Sequence, residues 1–168
     1  MYNEQSYEYF RKIREDKVTT IGSIELELPN VLNEDKMDTI DLSKLGKCRI
    51  DVYGGEGSVP HIHIQGKNID TCINLIGDSY FDHGKHTSKL SGNNEKLIKN
   101  WFKKENDNPT TKKLAKTMYD LARLNWNVKN EDNKIADNIK KPDYEKFMSY
   151  KEWKEQNKEI AKKYQKKK

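Results

Sequence analysis

Between residues 48 and 76 the chain reads CRIDVYGGEGSVPHIHIQGKNIDTCINLI, three short runs in which apolar and polar residues alternate, separated by turn-forming breaks. A period of two sends successive side chains to opposite faces of a strand, and runs joined this closely favour an antiparallel meander. Strands are therefore expected over 48–54, 60–66 and 70–76, with Gly54, Gly55 and Gly57 in the first turn. One face collects Ile50, Val52, Ile62, Ile64, Ile73 and Leu75. The other collects Asp51, Tyr53, His61, His63, Gln65, Cys72 and Asn74. The apolar face is expected to take the helices, which would leave the histidine face open.

The flanking sequence supplies those helices. Tyr7, Phe10 and Ile13 suit a short helix over 3–15, and Ile24, Leu26 and Leu28 alternate with glutamates in a strand over 21–28 that stops at Pro29. Residues 30–40 read as a loop, and 41–46 as one helical turn between Asp41 and Gly46. Beyond the meander, Leu97, Ile98, Trp101 and Phe102 form a stripe on a helix capped by Ser91 or Asn94. A second helix is expected from Pro109, repeating Leu114, Met118, Leu121 and Leu124, and then a polar gap over 127–142. The last stretch, 143–168, predicts a helix capped by Asp143 with a sparse apolar stripe, so it is expected to project. The fold class is α+β: a small antiparallel sheet, a meander of at least three strands plus an N-terminal strand, packed by helices and followed by a C-terminal helical extension. The expected division is an α+β core over 1–105 carrying the His-x-His strand and a basic helical extension over 106–168.

Composition sets limits on partners. Only 33% of the 168 residues are hydrophobic while 35% are charged, which suits a modest core. Residues 1–90 carry 11 Lys/Arg against 15 Asp/Glu, and residues 91–168 carry 21 against 12, so the basic excess belongs to the second half. Such a half can attract nucleic acid, although a solvated helix face and a lysine tail give the same count. Two cysteines, a polar start and no apolar run of membrane-spanning length lead to the expectation of a cytoplasmic protein with no membrane association and no disulfide framework.

All four histidines lie between 61 and 86. His61 and His63, two apart on a strand, are close enough for their rings to meet on one ion or one phosphate. His83 and His86 follow in YFDHGKH, so His61, His63, His83 and His86 are the candidate ligands of a divalent metal, zinc or similar, with Asp51, Asp82 and Cys72 as further donors. If the protein is an enzyme, His61 and His63 are its candidate catalytic residues, and Asp51, Tyr53, Gln65 and Asn74 are candidate binding residues on the same face. Gly54, Gly55 and Gly57 precede no helix start and so do not make a phosphate loop.

Two resemblances add to this. HIHIQ is similar to the His-x-His-x-Gln variant of the histidine-triad motif in its uridylyltransferase branch, which implies His63 as a nucleophile on phosphorus with Gln65 assisting. That superfamily places a helix before the motif strand, whereas a strand stands there in this chain. Over roughly residues 18–105, EGSVPHIHI and Trp101 resemble a small bacterial and phage family of unknown function with a Pro-His-aromatic-His-Val strand. Its members are carried by mobile elements, some in toxin–antitoxin-like gene pairs. Ile62 replaces the usual aromatic residue and Pro60 stands where two prolines are common. The resemblance implies a compact α+β fold with His61 and His63 as the site.

Three functions are compatible with these features. The first is a mobile-element or phage accessory protein, a binding or inhibitor-type regulatory module that meets a protein or nucleic acid through its histidine face and basic half. The second is a toxin-like, metal-dependent phosphodiesterase or nuclease using His61 and His63. The third is nucleotidyl transfer through His63.

Overall fold

The structure, a computed structural model, describes residues 36–86 and 88–165. The helix expected over 3–15 and the strand over 21–28 lie outside the described residues. Four strands, β1 (Lys36–Leu42), β2 (Gly46–Asp51), β3 (His61–Gly66) and β4 (Ile69–Asn74), form an antiparallel sheet in sequence order. Ile50 pairs with Ile64 and Ile62 with Ile73 on one face; Asp51 pairs with His63, His63 with Cys72 and His61 with Asn74 on the other. The parity read from the sequence is the parity observed.

Residues 36–42 correct the sequence reading, which makes them a loop running into a helical turn. They form β1 and turn into β2 through Ser43–Leu45, with Lys44 at φ 63° and Gly46 at φ 72°. A lone helical turn leaves most of its backbone groups unpaired, whereas a hairpin gives this segment a full ladder against β2.

Helix α1 (Gly92–Lys103) starts at Ser91, whose side chain accepts from the Asn94 N–H. Its Trp101 indole donates to Asp38 Oδ2 at 2.7 Å, fastening the helix to β1. Helix α2 (Met118–Lys129) begins nine residues after Pro109. The reciprocal capping box of Thr117 and Asp120 fixes that start, and residues 106–116 instead form turns around the Asn106 and Asn108 side chains. A 3-10 turn over Glu131–Asn133 follows.

The long terminal helix is observed as two short ones, α3 (Tyr150–Gln156), capped by Ser149 and not Asp143, and α4 (Lys158–Lys163). Nor does the segment project. Tyr144, Trp153, Ala161 and Tyr164 are buried, and the Tyr144 ring stacks on Phe102 at 4.2 Å. Gly77 is the seat for Trp153: a Cβ there would lie 1.8 Å from the indole nitrogen. Buried residues on both sides of position 105 belong to one core cluster that runs from Leu42 to Tyr164. Among the described residues, no helix is long and apolar enough to cross a membrane.

The sheet is covered on both faces, and this overturns the expectation of an open histidine face. His61, Asp51, Cys72 and Asn74 are fully buried and His63 is 2% exposed. The reason lies in the chain after β4. Phe81 N–H donates to the Cys72 carbonyl at 2.9 Å, drawing residues 80–86 back along the strand, so that Phe81, His83 and His86 lie on the histidines. Trp126 of α2 completes the cover, 5.3 Å from His61 between ring centres.

Candidate metal centre

The β3 backbone sends both imidazoles to one side, and their Nε2 atoms approach to 3.0 Å. His61 Nδ1 lies 2.7 Å from the Val59 carbonyl, which only accepts, so Nδ1 carries the hydrogen and Nε2 presents a lone pair toward His63. His63 Nδ1 is 3.3 Å from Cys72 Sγ, the residue opposite it in β4. Two nitrogen lone pairs at this separation repel one another unless a proton or a cation lies between them. A cation there would leave the His63 hydrogen on Nδ1, facing sulfur.

Two loops bring the remaining donors. His83 and His86 flank a tight turn in which the His86 N–H donates to the His83 carbonyl at 3.0 Å, with Gly84 at φ 58°. The turn sets the His83 ring 5.1 Å from His61 and 5.2 Å from His63. From the glycine-rich loop between β2 and β3, Glu56 brings its Oε1 to 3.9 Å from His83 Nε2. One donor atom each from Glu56, His61, His63 and His83 lies within 4.8 Å of all the others, so this group can hold a metal ion. A tetrahedral ion with bonds of about 2.0–2.1 Å sets its donors about 3.3 Å apart, a spacing bracketed by the shortest and longest separations found here.

Burial sets the charge state. It pushes His61 down to about 3 against a weaker opposing pull from its bond to Val59, and neighbouring histidines add to the drop. His63 falls to about 4, again through burial, with His83 and His86 reinforcing and Asp70 opposing. Both rings are therefore neutral at pH 7, the form that donates to a metal. Burial, with Asp70 and Glu56, pushes the Cys72 thiol far upward, so it stays protonated and serves as a partner for His63.

The other residues expected on this face have different duties. The His86 ring stands 5.0 Å from that of His63, but its Nδ1 is bonded to the Asp70 carboxylate and it does not join the converging four. Asp51 Oδ2 takes Arg49 at 2.8 Å and the Tyr53 hydroxyl at 3.3 Å, while Oδ1 is buried with no hydrogen-bond partner among the described residues. Tyr53 also reaches Gln65 Oε1 at 3.2 Å. Asn74 is structural: its amide spans Ser79 and the Ile76 N–H. Asp82 is exposed and outside the donor group. Sequence reasoning missed Glu56 as a donor. Its only signal was an acid placed in a glycine-rich loop five residues before His61.

The four donors differ in access. The Glu56 and His83 side chains are 19% and 35% exposed, and they border a groove of about 340 Å³ walled by Phe81, Tyr150 and Tyr164. A second groove, of about 540 Å³, shares Glu56 and Gly57 with the first and runs between the glycine loop and the segment Lys129–Asn133. No protein-family model, curated protein or solved structure matches the chain.

Proposed function

We propose that the protein is a divalent-metal-dependent hydrolase whose ion lies at the floor of the groove, held by His61, His63 and His83 with Glu56 as the exchangeable fourth donor. The observation that carries this reading is the convergence of one donor atom each from Glu56, His61, His63 and His83 within 4.8 Å of one another. Between the two strand histidines, a cation would take the place of the proton that one neutral ring nitrogen shares with the other. A zinc-class ion answers both lone pairs at once, and a set of imidazoles with one carboxylate suits it better than Ca²⁺ or Mg²⁺, which favour oxygen. The partly exposed donors, Glu56 and His83, are the side from which water and substrate would reach the ion. Such an ion lowers the pKa of a water and polarises a phosphoryl or carbonyl oxygen. With an ion bound, Glu56, released from it, would accept the water's proton and pass it to the leaving group, so that water is added across the broken bond.

The lining narrows the substrate. Glu56, Asp82, Glu131 and Asp132 border the two grooves against Lys129 and Lys163, and Lys129 Nζ already donates to the Val52 carbonyl. A long polyanion needs a track of lysine or arginine. The charge balance therefore supports a compact phosphodiester or ester over a nucleic-acid duplex. Protein purified without chelators is expected to carry stoichiometric transition metal and to hydrolyse bis(4-nitrophenyl) phosphate or 4-nitrophenyl acetate, with both properties lost in His61→Ala. Metal-free wild-type protein that takes up neither Zn²⁺ nor Co²⁺ would overturn the proposal.

A second reading keeps the ion and drops the turnover. Four protein donors are enough to close a tetrahedral shell, and closed shells are structural. The protein would then be an accessory binding module of the mobile-element type, with the basic second half meeting its macromolecular partner. Bound metal without hydrolysis of either ester would favour this reading. Nucleotidyl transfer has less support, since the two ring nitrogens of His63 face His61 and Cys72.

A further inference from the structure

Glu56 sits in the glycine-rich loop between β2 and β3. Its backbone is gripped from the far half of the chain. Asn130, the C-terminal cap of α2, accepts the Glu56 N–H through Oδ1 at 2.7 Å and donates through Nδ2 to the Tyr53 carbonyl at 3.0 Å. Asn133 donates through its amide to the Glu56 carbonyl at 3.0 Å and to the Ser58 carbonyl at 2.6 Å. The peptide groups on both sides of the Glu56 side chain thus end on two asparagine amides. Those amides are in turn fixed. Asn130 Nδ2 also reaches the Trp126 carbonyl at 3.1 Å, and the Trp126 indole donates to the Asn133 carbonyl at 2.9 Å while its ring lies against His61. The Gly55 N–H adds a longer bond, 3.4 Å, to the Lys129 carbonyl.

From this arrangement we infer that Asn130 and Asn133 are positioning residues for the metal centre: they hold the Glu56 carboxylate at the ion, so the site is completed by the second half of the chain. The inference rests on the metal reading above. Elsewhere in the centre the donors are set by a strand (His61 and His63) or by a turn with its own internal bond (His83), and neither depends on a remote side chain in this way. A loop with glycines at 54, 55 and 57 has wide backbone freedom. Fixing its peptide groups is the direct means of giving one carboxylate a single place.

The test is a double-mutant cycle on the full chain, with Co²⁺ as the probe, read by its visible d–d absorption and by titration. Removing a partner that orients a ligand weakens metal binding about 10-fold or more. Asn133→Ala is expected to lower Co²⁺ affinity by about that factor and to weaken the absorption as water replaces the carboxylate. Glu56→Ala is expected to do the same. In the Glu56→Ala background, Asn133→Ala should then change neither affinity nor spectrum further. A purely structural asparagine would weaken Co²⁺ binding equally in both backgrounds, and that result overturns the inference. So does wild-type behaviour in Asn133→Ala. If that variant does not fold, Asn130→Ser removes the amide contacts with a smaller change and is read against the same two outcomes. Failure of the wild-type chain to bind Co²⁺ at all is a different result, which removes the metal reading itself.

Discussion

Strand β3 has two faces that are buried to the same degree for different reasons. Ile62 and Ile64 are sealed because water is a poor solvent for them, and that preference holds at any pH and with any ion present. His61 and His63 are sealed only while they stay neutral and while their nitrogens have partners. Stability on one side is unconditional. On the other it depends on solution conditions, and a side that responds to conditions is where a ligand has leverage.

Substitution, metal and acid should act on the two faces differently. Ile64→Ala is expected to lower unfolding free energy by about 2–5 kcal/mol in denaturant titrations, with the metal content of the folded fraction unchanged. A loss of metal equal to the loss in His63→Ala would show that the faces are not separable. Saturating Zn²⁺ should raise wild-type stability by about 4 kcal/mol at a thousandfold excess over Kd. The same addition should leave His61→Ala and His63→Ala unmoved, and a wild-type chain equally unmoved would remove the conditional side of the contrast.

A more gradual effect follows from acid. A histidine whose folded pKa is depressed contributes its full share above its ordinary pKa of about 6.5. That share is lost as pH falls from there toward the folded values, about 4 for His63 and about 3 for His61. The metal-free chain should therefore lose stability below about pH 6.5, on the order of 1 kcal/mol per pH unit for each ring. The slope should be shallower in His63→Gln, and a flat profile between pH 6.5 and 4.5 would contradict the assigned neutral state. Smallest of all is Glu145→Gln. It removes an exposed pairing with Lys99 and should leave both denaturation and metal binding within measurement error.

Much of the sheet was legible because period-two alternation is a local signal. Ile50, Ile62, Ile64 and Ile73 could be assigned to one face, and His61 and His63 to the other, without knowing what covers either. Coverage is a long-range fact. Nothing in YFDHGKH says that it folds back onto β3, and Trp126 fits a helix stripe equally well whether its ring meets a neighbouring helix or an imidazole. The misreading of 41–46 has a local cause: DLSKLG carries a cap-like acid and a terminal glycine, the same marks that a helical turn would show, and only pairing with β2 decides the matter. The late start of α2 is similar, with Pro109 outweighed by the Thr117–Asp120 box. Of the candidate centre, three of its four donors could be read from histidine spacing. Glu56 could not, because a glycine loop has no period and its place depends on asparagines more than seventy residues away.

Gly77 gives the chain a latch one atom wide. Trp153, seated on its bare Cα, is preceded and followed by the segments that bring Tyr150 and Tyr164 to the groove wall. A methyl group at that position would compete with the indole for the same space. Gly77→Ala would unseat the terminal segment and widen the entrance while leaving each donor on its own strand or loop, so access to the candidate centre and the strength with which it would capture a metal become properties that can be tuned apart.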